Sequence, residues 1–228
     1  EFRRVLFRSG AEKLEAEAKA WDEKSDEQMH QHHRWAQATT VLQVSIALAA
    51  EAELLGAEFF ANEITPHRAT LVEQALRPIN PSLYVRVGDG RELGSDAPES
   101  FDRILLDAPC TGLGALRRRP EARWRKQQSD VAELASLQQE LLASAWAALK
   151  PGGILAYVTC SPHQGETTAV IDWGQKKLGE SFQLMDANAV LAEINPNLHL
   201  NRNRKTAQLW PDLNQTDAMF IALIQKAK

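Results

Sequence analysis

Short runs of apolar residues recur along the chain, and longer stretches with the periodicity of a helix separate them. The apolar runs predict strands, which we place at residues 41–46, 57–61, 83–87, 101–106, 154–158, 182–185 and 218–224. The intervening stretches predict helices, which we place at residues 47–55, 67–76, 166–178 and from Ser129 or Asp130 to Leu149. Strands separated by helices of about ten residues or more are typical of a parallel sheet whose faces are covered. The pattern therefore predicts an α/β fold with a doubly wound, mostly parallel sheet.

The first part of the chain differs from this pattern. Residues 11–38 are rich in Ala, Glu and Lys but carry only a thin apolar stripe, which predicts a solvated helical arm. Residues 1–10 resemble a remnant of cloning or sequence assembly, and they lack the long apolar centre of a signal peptide. We therefore predict an N-terminal segment at 1–38, in which 1–10 are non-native, and a folded domain at 39–228.

The bulk composition argues against several classes of site. No apolar stretch approaches the ~20 residues of a membrane-spanning helix, so we expect no membrane partner. Two cysteines in a chain without signs of secretion favour free thiols and a cytoplasmic location over a disulfide. His30, His32 and His33 have no Cys or carboxylate at metal-ligand spacing, so we expect a solvated helix face there and no metal.

Positive charge is concentrated in one part of a chain whose formal net charge is −4. Within residues 113–126, six basic residues stand against the single acid Glu121, and they are Arg117, Arg118, Arg119, Arg123, Arg125 and Lys126. A local positive surface is sufficient to dock a phosphate backbone, which indicates an RNA contact; the alternative is a solubilising loop. Trp124 either stacks on a base or packs in a core or lid.

Acidic residues follow three successive predicted strands, and they are Glu63, Asp89 and Asp107. In dinucleotide-binding sheets a carboxylate after the second strand typically binds the ribose hydroxyls. The three acids together indicate a nucleoside cofactor. The alternative is a chance arrangement, since acids are common in loops.

Both cysteines also follow predicted strands, in Asp107-Ala-Pro-Cys110 and in Tyr157-Val-Thr-Cys-Ser161. Side chains just beyond the carboxyl ends of parallel strands line the ligand crevice, so two thiols and a carboxylate are predicted to face one pocket. A thiolate in a polar site is a nucleophile, which favours covalent chemistry. The alternative is a pair of buried structural cysteines, because free cysteine is among the most buried residue types.

The stretches LDAPCTGLG at 106–114 and AYVTCSP at 156–162 resemble the paired motifs of the Sun/Fmu family of RNA 5-methylcytosine methyltransferases. Within that family they are most similar to the bacterial 16S ribosomal RNA enzymes. Six further stretches share the resemblance, and they are NE at 62–63, VGDGR at 87–91, RRPEARW at 118–124, LKPGG at 149–153, QLWP at 208–211 and TDAMF at 216–220. The resemblance covers about 47–228. It implies that 39–228 is a Rossmann-like class I methyltransferase catalytic domain with a final antiparallel strand.

The resemblance also implies roles for the strand-end residues. Cys160 would bond covalently to carbon 6 of cytosine, Asp107 would hydrogen-bond the ring, and Cys110 would assist proton loss and product release. The cofactor would be S-adenosylmethionine. Glu63 would bind its ribose and Asp89 its adenine, and Asp107 would also belong to the cofactor-binding residues. A base must leave its stack to reach such a pocket, so the expected substrate is single-stranded or loop RNA, in this family ribosomal RNA.

The chain departs from the family at the first strand, which in the family ends in a glycine-rich loop around the methionine end of the cofactor. Here no glycine occurs between Gly10 and Gly56, and residues 39–48 are TTVLQVSIAL. Because backbone close to a ligand usually requires glycine, we expect weak or no binding of S-adenosylmethionine. Two alternatives stay open, a catalytically impaired RNA-binding remnant and a DNA cytosine methyltransferase whose nucleophile is Cys110.

Overall fold

The computed structural model describes residues 56–80 and 85–228, which belong to two compact units that divide between Val87 and Gly88. Several predictions fall outside the described residues. They are the arm at 11–38 with its three histidines, the strand at 41–46, the helix at 47–55 and the segment at 39–48 that replaces the glycine-rich loop.

The described part of the first unit, residues 56–80 and 85–87, contains two short parallel strands and one helix. Strand β1 (Ala61–Glu63) pairs with β2 (Val85–Val87), and helix α1 (Pro66–Leu76) lies between them in sequence. Pro66 opens α1, where the proline ring suits the helix and its missing N–H is not needed. Ala69, Val72 and Leu76 lie on one face of α1 and are buried with Val85.

The second unit is a mixed five-stranded sheet with helices. In chain order its elements are α2 (Leu93–Asp96), β3 (Phe101–Asp107), α3 (Gln128–Ala148), β4 (Leu149–Thr159), α4 (Thr168–Leu178), β5 (Phe182–Leu184), α5 (Ala187–Ile194), β6 (Ala207–Gln208), α6 (Pro211–Asn214) and β7 (Phe220–Lys226). Strands β3 and β4 are parallel, whereas β7 lies between β4 and β5 and is antiparallel to both. Strand β6 pairs with the other end of β7. This arrangement confirms the predicted α/β fold with a final antiparallel strand.

The core of the second unit lies between this sheet and helix α3. From Gly153 to Thr159 of β4 every second residue is buried, including Leu155 and Tyr157, because alternate residues of a strand point to one face. They pack with Phe220 and Ile224 of β7 and with Leu142 of α3, in one continuous apolar cluster. The carboxyl ends of β3 and β4 are thereby held firmly at one edge of the sheet.

Several predicted boundaries were wrong. The strand predicted at 57–61 lies at Ala61–Glu63 instead, and the strand predicted at 218–224 lies at Phe220–Lys226. Helix α3 begins at Gln128 and ends at Ala148, one residue before the predicted end. Asp130 lies in its first turn, where its carboxylate accepts a hydrogen bond from the Gln127 N–H at 3.1 Å. Strand β4 begins at Leu149, which pairs with Phe101 ahead of a Pro-Gly-Gly irregularity. Helix α4 begins at Thr168, because residues 164–166 form a separate 3₁₀ turn.

The elements α2, α5, β6 and α6 were not predicted. Three of them are only two to four residues long, too short for a periodic signal. Within the described ranges, no helix has the length and apolar character needed to cross a membrane.

Candidate active site

The two cysteines lie side by side at the carboxyl edge of β3 and β4. Asp107 at the end of β3 pairs with Val158 of β4 in parallel register, so the loops that follow both strands start at the same edge. The Sγ atoms of Cys110 and Cys160 are 3.2 Å apart, a distance at which one thiol donates a hydrogen bond to the other sulfur. Both cysteines are free and partly buried. The second unit thus brings the two predicted thiols into a single site.

A buried glutamate that no motif had singled out connects the two cysteine loops. Glu166 has no exposed surface. Its Oε1 accepts a hydrogen bond from the Thr111 N–H at 2.7 Å, and its Oε2 accepts from the Thr111 hydroxyl at 2.5 Å and the Ser161 hydroxyl at 2.6 Å. Thr111 follows Cys110 and Ser161 follows Cys160. One carboxylate therefore holds the residues next to both thiols.

Gly114 connects the same loops through the backbone. Its N–H donates to the Cys160 carbonyl at 2.9 Å, and its own carbonyl accepts from the Ala218 N–H at 2.9 Å. A Cβ at this position would overlap the Ala218 carbonyl oxygen and lie 2.7 Å from the Cys160 carbonyl oxygen. Only glycine permits so close an approach of three backbone segments.

A second buried network supports the turn before Cys110. The Gln138 side chain of α3 has no exposed surface and donates to the Pro109 carbonyl at 2.8 Å. The Tyr157 hydroxyl lies 3.1 Å from the Gln138 amide oxygen and 2.9 Å from the Glu166 carbonyl oxygen. Helix α3 and strand β4 thereby fix both sides of the thiol pair.

The surroundings of the two thiols favour ionisation of one of them. The hydrogen bond from Cys110 lowers the pKa of Cys160, against the opposing effects of burial and of the Asp107 and Asp217 carboxylates. The same hydrogen bond, together with burial, raises the pKa of Cys110. The pair therefore loses its first proton from Cys160, while Cys110 keeps its proton and donates it towards the Cys160 thiolate.

The three predicted acids occupy different environments. Asp107 is exposed and lies close enough to Cys160 to affect its ionisation. Asp89 forms an ion pair with Arg91 at 2.6 Å. Glu63 lies in the first unit, where its carboxylate accepts from the Thr65 N–H at 2.9 Å and pairs with Arg68 at 2.9 Å. A common site for all three acids stays a prediction, since Glu63 and the other two belong to different units.

The basic loop after Cys110 is partly committed to internal contacts. Arg118 forms a close two-nitrogen contact with one oxygen of the nearly buried Asp217, and Arg117 lies 3.9 Å from its other oxygen. Trp124 is 83% exposed and carries the Arg123 guanidinium 5.5 Å from its ring centroid. Core packing of Trp124 is therefore excluded. Its exposed ring and the arginines around it form a surface of the kind that binds single-stranded nucleic acid.

Metal-ligating side chains are not clustered in the part of the chain that the structure describes. No group of three or more His, Cys, Asp and Glu residues there has the arrangement needed to hold a metal ion. The three histidines near residue 30 lie outside this part.

Comparison with known proteins finds ribosomal RNA methyltransferases as relatives of this chain. The family model "16S rRNA methyltransferase RsmB/F" matches residues 47–225, and a domain of unknown function, DUF4337, matches residues 6–62. Ribosomal RNA small subunit methyltransferase B of Erwinia tasmaniensis is 42% identical over 171 residues, which cover 75% of this chain and 37% of that protein. The enzyme of the same name from Photorhabdus laumondii is 36% identical over 167 residues, which cover 73% of this chain and 36% of that protein.

Solved structures give the same fold. A methyltransferase homologue from Pyrococcus horikoshii is 26% identical, with a TM-score of 0.59 over 75% of this chain and 53% of that one. NSun6 from the same organism, solved with SFG, is 23% identical, with a TM-score of 0.63 over 75% of this chain and 42% of that one. This chain spans about a third of the length of the curated relatives that it matches. With a family model that matches most of its length, the chain belongs to the RsmB/F family of 16S ribosomal RNA methyltransferases.

Proposed function

We propose that this chain methylates carbon 5 of cytosine in ribosomal RNA, with S-adenosylmethionine as the methyl donor and Cys160 as a covalent nucleophile. The observation that carries the proposal is the pair of sulfur atoms 3.2 Å apart at the end of two parallel strands, beside Asp107. Family membership supports the reaction class. The free thiols also favour a cytoplasmic setting, where cysteines stay reduced.

Cys160 is the better nucleophile of the two thiols. Carbon 5 of cytosine is a poor nucleophile until a group adds to carbon 6, so the reaction requires a thiolate. Cys160 supplies it because its pKa is lowered by the hydrogen bond from Cys110. Addition of the Cys160 sulfur at carbon 6 places electron density on carbon 5, which then accepts the methyl group.

Asp107 and Cys110 act on the same ring. The Asp107 side chain is exposed at the end of β3, where it would hydrogen-bond the base while charge develops on it. Cys110 assists removal of the carbon 5 proton, after which the bond between carbon 6 and Cys160 breaks. The electron pair left by the proton re-forms the double bond between carbons 5 and 6, so Cys160 leaves as a thiolate and 5-methylcytosine is released.

The described residues are compatible with the cofactor, whose chemistry is the supply of an electrophilic methyl group. Within the described residues Glu63 is held by the Thr65 N–H and by Arg68, and a carboxylate, with about four acceptor positions, can also bind a ribose hydroxyl. Asp89, at the turn after β2, would bind the adenine edge and Asp107 would complete the site. These roles extend the family resemblance to residues of this chain.

The basic loop supports RNA as the partner. Arg117, Arg119 and Arg123 carry positive charge directly after the Cys110 turn, and Trp124 exposes an aromatic face beside them. Phosphates bind to such charges and unstacked bases stack on such rings. A single-stranded or loop cytosine is the form of substrate that can enter a pocket at a strand edge.

The test is transfer of a radiolabelled methyl group to protein-free 16S RNA, followed by digestion to nucleosides. Millimolar S-adenosylmethionine is needed because we expect weak cofactor binding. The proposal predicts label in 5-methylcytidine with the wild-type chain and none with Cys160→Ser. Label in another nucleoside would contradict it. RNA binding without any transfer would identify a catalytically impaired remnant instead.

A further inference from the structure

Glu166 is an unusual group in this site because it is a fully buried acid that forms no ion pair with any of the described residues. Its side chain has no exposed surface. Among the ion pairs within 56–80 and 85–228, none involves Glu166. Burial of an unpaired carboxylate is costly, and the three hydrogen bonds from Thr111 and Ser161 offset that cost. Such an arrangement is expensive as a structural support, since a neutral group could hold two loops together.

The contacts of Glu166 place its charge next to the thiol pair. Both oxygens bind Thr111, which adjoins Cys110, and one binds Ser161, which adjoins Cys160. The Ser161 hydroxyl that donates to Glu166 also accepts from the His163 N–H at 3.1 Å, so the loop after Cys160 is fixed at two points. The carboxylate thus sets the position of both cysteine loops and adds a negative charge on the side of Cys110.

We propose that Glu166 is a positioning residue that holds the two cysteine loops in register and keeps the shared proton of the thiol pair on Cys110. Its importance for methyl transfer rests on the proposed function. Its effect on the thiols does not, because it depends only on the folded chain.

The charge balance around the pair agrees with this role. The hydrogen bond to Cys160 and burial raise the pKa of Cys110 most, and the Glu166 carboxylate raises it further. Five other ionisable groups face the pair, and they are Asp107, Asp217, Arg118, Arg119 and Tyr157. The two acids and the two arginines act on the pair mainly through Cys160. Tyr157 is neutral near pH 8, because burial raises its pKa. A negative charge close to Cys110 disfavours its thiolate and leaves Cys160 as the group that ionises.

The test measures Cys110 alone. In a Cys160→Ser background, the rate of alkylation by iodoacetamide is followed against pH by peptide mass spectrometry, and its midpoint reports the ionisation of Cys110. Adding Glu166→Gln keeps the shape of the side chain and removes its charge. We expect the midpoint to fall by about one pH unit, as for a charge removed from several ångströms away in a partly buried site.

The matched control is Ser161→Ala in the same background. It removes one hydrogen bond from Glu166 and keeps the charge, so the midpoint should stay within a few tenths of a pH unit. Equal shifts for Glu166→Gln and Ser161→Ala, or no shift for either, would reduce Glu166 to a structural support. Circular dichroism of each variant verifies that the second unit is folded.

A further measurement needs no change at Glu166. In the Cys160→Ser chain itself the midpoint should lie above the ~8.5 of a free cysteine. A midpoint at or below that value would overturn the proposal even if Glu166→Gln fails to fold. No RNA or cofactor enters these assays, so a failure of the proposed methyl transfer leaves their result unaffected.

Discussion

Gly114→Ala should destabilise the second unit far more than a glycine replacement two residues earlier. A methyl group at Gly114 would overlap the Ala218 carbonyl oxygen and press on the Cys160 carbonyl oxygen. The backbone must move, and the two 2.9 Å hydrogen bonds that Gly114 makes would be strained or lost. At ~1 kcal/mol for each bond and ~1–3 kcal/mol for overpacking, we expect a loss of about 3–5 kcal/mol in the free energy of unfolding.

Gly112→Ala is the matched control. Gly112 has a φ of +73° in the same loop, but a Cβ there meets nothing within 4 Å. The cost should be the ~1–2 kcal/mol of placing a side chain in the left-handed region. Urea denaturation followed by circular dichroism measures both variants. Losses that agree within about 0.5 kcal/mol would refute the reasoning, because they would show that close approach at Gly114 adds nothing to backbone strain.

Three other outcomes can be measured directly. Calorimetric titration with S-adenosylmethionine should give weak or no binding, because the segment 39–48 lacks the glycine backbone that the family uses. Two or three lost hydrogen bonds at ~1.5–3 kcal/mol each weaken binding by several orders of magnitude, and a low micromolar dissociation constant would contradict this. Replacing Arg117, Arg119 and Arg123 by Ala should lower the slope of log RNA affinity against log salt by roughly 0.7–0.9 for each lost phosphate contact, and an unchanged slope would return the loop to a solubilising role. As pH rises, iodoacetamide should modify Cys160 before Cys110, since the pKa of Cys160 is lowered and that of Cys110 raised; earlier modification of Cys110 would reverse that order.

The features that were predictable from the sequence depend on local patterns. Apolar runs identified β3, β5 and β7 within two residues, and the second half of β4, because strands buried in a sheet have a strong hydrophobic signal. Both cysteines follow such strands, and a parallel pair places its carboxyl ends at one edge. Their proximity therefore followed from the strand pattern and the fold class together.

The features that were not predictable depend on contacts between distant residues. Glu166 had the appearance of a polar residue at a helix start, and only the folded loops show that it binds Thr111, 55 residues away. The pairing of Arg118 with Asp217 spans 99 residues, so the sequence offered no reason to treat Arg118 differently from Arg117 or Arg119. The boundary of β4 was missed because Pro-Gly-Gly usually marks a turn, whereas here it interrupts a strand that has already begun.

The most direct test of the account is covalent trapping on RNA that contains 5-azacytidine, at millimolar S-adenosylmethionine. The adduct is detected as a complex that survives denaturation, and its attachment site is read by mass spectrometry. We predict that the wild-type chain and Cys110→Ser form the adduct at Cys160 and that Cys160→Ser does not. An adduct that persists in Cys160→Ser and disappears in Cys110→Ser would contradict the assignment and place this chain with the DNA-type enzymes, whose nucleophile follows a proline.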